Sequence, residues 1–243
     1  ERHQIFLCTS HTHSGPVDGR HLAPIHYAIL EPEQQALIDD YAERLPGQVC
    51  TAVNGAIDAL APAKVQWGNG KAVFAVNRRE NKPYRSVPDL RARGVLKGPV
   101  DHDVPVLSVR GGGGELRAVL FGYACHATTL SFQQWNGDYP GYAQIALEKA
   151  YPGATALFWA GCGADQNPLP RSSVELAERY GRDLARAVQD VLSAPMPVLS
   201  PSLSLRYQEI DLKLQQLPDA DELKTDAQSA NRYVAARARI LQQ

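Results

Sequence analysis

Residues 118–125 read AVLFGYAC, a run that is apolar on both faces of an extended chain and stops at His126. A half-exposed strand alternates apolar and polar side chains. A strand covered by helices on both sides does not, and this run predicts such a central strand. Residues 5–8 (IFLC) and 154–160 (ATALFWA) have the same form. The first runs into Thr9, Ser10, His11, Thr12 and His13, and the second into GCGADQNP at 161–168. Strands are therefore expected at 4–9, 117–125 and 154–160, side by side in a mostly buried sheet flanked by helices. This is an α/β fold, in which ligands bind at the carboxyl ends of the strands.

The rest of the chain supplies the flanking elements. Leu37, Ile38, Tyr41 and Leu45 follow a helical period from Pro32, a break is expected at Pro46-Gly47, and Val49, Val53, Ile57 and Leu60 continue a second packing helix. Val65-Gln66-Trp67 and residues 72–76 are expected to form a hairpin around Gly68-Asn69-Gly70. Strands at 104–110 and 116–124 flank the glycines 111–114. Helices are expected at 142–149 and, capped by Ser173, through Val191. A Pro-rich connection at 195–202 leads to an alternating strand at 203–212 and a helical tail from Asp219. The length of 243 residues fits one domain spanning 1–243. With no initiating Met and a motif close to the first residue, sequence on both sides is expected to be missing.

Lys and Arg total 25 against 26 Asp and Glu, so no overall positive field draws the chain to nucleic acid. No run reaches the ~18 apolar residues of a transmembrane segment. Cys8, Cys50, Cys125 and Cys162 show no CxxC spacing, which excludes a zinc ribbon. Three of them adjoin apolar runs, where small buried thiols are expected.

Residues 71–97 hold eight basic and two acidic side chains. Most read as a solvated loop, but an arginine at a strand's end, such as Arg78, can bind a carboxylate or a polarised carbonyl. His11 and His13 stand at i and i+2, so on an extended segment both project to one side and can converge on a metal ion or a substrate. They read equally as hydrogen-bonding loop histidines. His21 and His26 read as surface groups. Asp165 reads as a ligand, as the partner of a histidine or as the cap of a turn.

SHTHSGP at 10–16, Asn77-Arg78-Arg79, GYACHATTL at 122–130, NGDYPGYA at 136–143 and GCGADQNP at 161–168 together resemble, in order and spacing, the neutral/alkaline non-lysosomal ceramidase family. The resemblance implies a zinc-dependent amidase whose substrate is a small-molecule or lipid amide such as ceramide, met in transient contact with a membrane surface, and a secreted or periplasmic location. It implies Zn2+ held by His11 and His126, with His13 and Arg78 facing the substrate. Asp165 matches the aspartate of the family's Gly-Asp-Val-Ser-Pro-Asn segment. This chain reads Asp165-Gln166-Asn167-Pro168, one residue shorter and without the serine, so that serine's role does not transfer. The family's glutamate and tyrosine zinc ligands lie further along, and nothing after residue 212 matches them. Two readings follow: a zinc-dependent amidohydrolase, or an inactive ceramidase-like domain that binds a polar ligand or partner.

Overall fold

The computed structural model describes residues 4–243. In chain order its elements are α1 (Ala23–His26), α2 (Pro32–Asp58), β1 (Lys64–Lys71), β2 (Ala75–Asn77), α3 (Val87–Ala92), β3 (Asp103–Arg110), β4 (Leu116–Tyr123), α4 (Asp138–Ala150), β5 (Thr155–Ala160), β6 (Gln166–Pro168), α5 (Val174–Ser193), α6 (Ala220–Asp226) and α7 (Arg232–Leu241). They fall into two compact units, Glu1–Gly15 with Ala61–Arg206 and Pro16–Leu60 with Tyr207–Gln243.

The first unit is α/β, with a sheet of order β1-β3-β4-β5. The expected strands at 104–110 and 116–124 form the antiparallel pair β3–β4, while β4 and β5 run parallel, with Leu120 opposite Leu157. The parallel step requires a crossover, and α4 provides it. Val104, Val106, Val119, Phe121 and Tyr123 point to one face of the sheet and pack with Tyr139, Leu147, Leu184 and Val188 of α4 and α5. Fully burying a side chain of this size contributes about 1.5–3 kcal/mol. β2 and β6 form a separate antiparallel pair, with Asn77 opposite Gln166.

Several expectations are corrected. Residues 5–9 form no strand, and Ile5, Phe6 and Leu7 are 68%, 83% and 77% exposed. Apolar composition alone does not make a strand, because the backbone also needs a ladder partner. In place of the hairpin expected at 65–76, β1 runs through Gly68-Asn69-Gly70 to Lys71, and Ala75 and Val76 belong to β2, which pairs with β6. A Cβ at Gly68 would stand 2.5 Å from Val191 Cγ1, and one at Gly70 2.9 Å from Ala187 O, so these glycines admit α5 against β1 rather than turn the chain. Residues 203–212 form no strand either. The outer edge of β1 is taken by the Pro-rich stretch, where Leu199 N donates to Val65 O at 2.8 Å and Trp67 N to Pro197 O at 3.1 Å.

The helix expected from residue 142 begins at Asp138, whose own carboxylate accepts the Tyr139 N–H. In the second unit, the break expected at Pro46-Gly47 is absent and α2 runs as one helix through Pro46. None of its residues is buried. There α7 packs against α1 and α6, and Asp39 accepts from Arg20 at 2.9 Å and from Tyr27 at 2.7 Å. Among the described residues no helix is long and apolar enough to cross a membrane.

Candidate active site

β4 carries His126 just past its last residue, and the strand end is fixed from two sides. Tyr139 Oη donates to Cys125 O at 2.7 Å, and the His126 N–H donates to Gln166 O at 3.0 Å. The loop after β5 closes onto the same point, with Gly161 N donating to Tyr123 O at 3.0 Å. A Cβ at Gly163 would lie 2.5 Å from Cys125 N, so only glycine permits this approach.

The segment bearing His11 reaches the same place by another route. Thr12 Oγ1 donates to Asn136 O at 3.0 Å and accepts from Ser14 N at 3.3 Å, and Asn136 N returns a bond to Ser14 O at 2.9 Å. The Asn136 loop is ordered in turn by Asp138. The Asp138 N–H donates to Asn136 Oδ1 at 2.6 Å, and its carboxylate accepts from Leu130 N at 2.8 Å, which fixes the far end of the loop that begins at His126. The imidazoles of His11 and His126 therefore stand with ring centroids 4.6 Å apart, and His13 lies 5.2 Å from His11. His11 has φ 62°, a left-handed conformation, so its proximity to His13 does not come from alternation along a strand.

His126 is half-buried. Burial, followed by the positive charges of Arg78, His11 and His13, holds its pKa below the usual histidine value of 6.5, while the Ala164 carbonyl opposes the shift. The neutral form of the ring is thereby favoured. Its Nε2 lies 3.3 Å from Ala164 O, and in the tautomer protonated there Nδ1 keeps a free lone pair.

Arg78 follows β2, and its N–H donates to Asp165 O at 2.7 Å. The Asp165 carboxylate accepts from Asn77 Nδ2 at 3.2 Å, so of the three roles open to Asp165 the observed bond is one that braces the loop. Asn77 also donates to Pro99 O and accepts from Arg79 N and Glu80 N. Gln166 is buried, with Oε1 accepting from Asp101 N at 2.8 Å. Asn77 and Asp138 were given no role from sequence, and the only signal for them was their place inside the quoted motifs.

His11 and His126 line a cleft of about 460 Å3 with Cys8, Thr9, Cys162 and Gly163, whereas His13 and Arg78 are not part of its lining. Cys8 and Cys162 are exposed, against expectation, because neither lies within a strand; Cys125 is buried. Imidazole nitrogens suit Zn2+ in kind, but a catalytic site ordinarily uses three protein ligands, and among the described residues no three His, Cys, Asp or Glu side chains are arranged to hold a metal. The described residues thus offer two adjacent imidazoles and no third donor beside them.

The first unit is an α/β layer structure with polar loops gathered at one end of its central strands, and solved hydrolases share this fold. A ceramidase described as complexed with C2 matches with a TM-score of 0.57 at 19% identity, over 76% of this chain and 30% of the other. The neutral ceramidase from Pseudomonas aeruginosa matches with a TM-score of 0.56 at 21% identity, over the same shares. The likeness shows a ceramidase-like fold, and the matched region is about 30% of the length of those proteins. No family model matches the chain, and no curated protein matches it.

Proposed function

We propose that the chain provides the histidine-bearing part of a zinc-dependent amidohydrolase that cleaves the amide of an N-acyl lipid such as ceramide. The observation that supports this reading is the convergence of His11 and His126, 4.6 Å apart at their ring centroids, in a fold shared with neutral ceramidases. These two imidazoles would hold the metal together with a further protein ligand. When bound, zinc supplies Lewis acidity, which polarises an amide carbonyl and acidifies water. Arg78 stabilises the charge that develops on the carbonyl oxygen. His13, exposed beside His11, receives the proton released by water and returns it to the leaving amine. Asn77 and Asp165 keep Arg78 in position, and Gln166 provides no nucleophile.

The test is zinc content together with hydrolysis of a panel of N-acyl amides with short and long chains, on wild type and His126→Ala. Bound zinc and released fatty acid in wild type, both lost in the variant, support the proposal. A second reading, a ligand-binding domain without turnover, is favoured by the absence of a third donor among the described residues and by Gln166 standing near the serine position. It takes over if wild type neither holds zinc nor cleaves any member of the panel.

A further inference from the structure

A second cleft, of about 450 Å3, lies in the first unit between the segment after β1, α3, the Leu169-Pro170 loop and α5. Its floor is apolar and buried, formed by Phe74, Leu169 and Tyr180. Hydrogen bonds that cross between elements hold the walls. Tyr123 Oη donates to Ala72 O at 2.6 Å, and Tyr180 Oη donates to Pro170 O at 2.6 Å. Arg91 donates to three carbonyls on two walls, Val73 O at 2.6 Å and Phe74 O and Leu169 O at 3.1 Å. A shape fixed in this way is preformed, which lowers the ordering cost of binding.

The charge around this floor is one-sided, with Lys71, Arg91, Arg179 and Arg186 against Asp183 alone. Arg179, Asp183 and Arg186, at i, i+4 and i+7, share one face of α5. Arg182 on the same helix pairs with Glu178 at 3.4 Å, whereas Lys71, Arg179 and Arg186 form no ion pair with another described residue. Arg179 lies over the Tyr180 ring, its guanidinium carbon 5.2 Å from the centroid, but none of the three has an acidic partner among the described residues. Cations around a low-dielectric wall without acidic partners raise the local concentration of anions. The excess suits a doubly charged group better than a carboxylate, guanidinium forks match phosphate oxygens, and the apolar floor accommodates the organic part of an ester.

We infer that this cleft binds a phosphate ester, with Lys71, Arg179 and Arg186 on the phosphate and the Phe74–Leu169 floor against its organic part. The inference does not depend on the amidase reading, since the cleft shares no lining residue with the histidine site. The ester has two sources, a soluble metabolite or a phospholipid headgroup, represented by two monoesters, glycerol 3-phosphate and vesicles of phosphatidic acid in phosphatidylcholine. Pure phosphatidylcholine vesicles and acetate are the controls.

At least one of the two probes should bind the wild-type chain. The double variant Arg179→Gln/Arg186→Gln should weaken that binding about tenfold, the range of two lost charge-assisted bonds at a partly exposed site. Arg182→Gln should leave it within about twofold, and raising the salt should weaken it in wild type by screening. Binding of glycerol 3-phosphate assigns a soluble ligand, and binding of the anionic vesicles alone assigns a headgroup. Failure of both probes, wild-type affinity in the double variant, or acetate binding as tightly as glycerol 3-phosphate would overturn the inference. Circular dichroism checks the fold of the double variant. If it is altered, Lys71→Gln is read instead, with about a threefold loss expected and unchanged affinity counting against the inference.

Discussion

Asn77 Nδ2 donates to Asp165 Oδ2 at 3.2 Å across 88 positions of sequence. The adjacent residue repeats the link through the backbone, Arg78 N to Asp165 O at 2.7 Å. Together they tie the residue that follows β2 to the loop after β5, so Arg78 is located by a two-bond clamp rather than by the strand alone.

Replacing Asn77 by Ala should therefore act at two levels. Asn77 is buried, and its loss leaves the N–H groups of Arg79 and Glu80 without their acceptor. An expected cost of about 1–3 kcal/mol, measured by urea unfolding, follows from the desolvation penalty of such groups. Under the proposed role of Arg78 in stabilising charge that develops during reaction, turnover of an N-acyl amide should fall mainly in kcat.

The parts of the fold legible in sequence are those set by burial on both faces. AVLFGYAC and ATALFWA became β4 and β5 in adjacent positions, and Ser173 caps α5 as its residue type predicts, accepting from Leu176 N. Residues 5–8 have the same apolar character and failed, since an edge strand also needs a partner that its own sequence does not reveal. In sequence Gly68 and Gly70 fit a turn as well as a close helix approach, since both need a missing Cβ, and only the position of α5 decides between them. At the site, His11 and His126 were legible because each follows an apolar run and each lies in a motif. The bracing by Asn77 and Asp138 was not, because those bonds exist only once distant loops have met.

Asp138 gives a prediction with a pH signature. Its carboxylate accepts from Leu130 N and Tyr139 N, so Asp138→Ala strands two N–H groups and should destabilise the chain by about 1–3 kcal/mol. Burial pushes the carboxyl above its ordinary range, with those two N–H bonds opposing the shift. As pH rises past the ordinary carboxylate value of about 3.9, the unfolded chain ionises first. The contribution of the neutral carboxyl is thus complete below that value and is lost as pH rises through the folded pKa. The gap in unfolding free energy between wild type and Asp138→Ala should be widest in acid and narrow as pH increases. A gap independent of pH would contradict the assignment.

Gly163→Ala tests the closure of the two strand ends. The added Cβ meets Cys125 N at 2.5 Å and Ala124 C at 2.7 Å, both backbone atoms that cannot rotate away. Overpacking of this kind costs about 1–3 kcal/mol, and here the relief must come from moving one loop. Thermal unfolding should show the loss, and the altered packing should appear in the His126 ring resonances. At Gly112, where a Cβ would meet nothing within 4 Å, the same substitution should leave those resonances unchanged.

The last prediction separates the histidine from the residue near the family's serine. His126 stands 4.6 Å from His11 between ring centroids, and burial and nearby positive charge favour its neutral form, the state in which an imidazole binds zinc. Removing it leaves one imidazole of the pair, so His126→Ala should lose both zinc and turnover. Gln166 faces a different task. Its Oε1 accepts from Asp101 N at 2.8 Å, and its backbone carbonyl accepts from the His126 N–H at 3.0 Å, a bond that survives any side-chain change. An amide side chain has no nucleophilic oxygen comparable to a serine hydroxyl, so the reaction must use water. Gln166→Ala should accordingly lose about 1–3 kcal/mol of stability through the orphaned Asp101 N–H while keeping zinc and measurable hydrolysis. Metal analysis and an N-acyl amide assay on the two purified variants give the comparison. Retention of both properties by His126→Ala would remove this histidine from the site, and loss of turnover in Gln166→Ala with zinc and fold intact would show that the residue does more than brace.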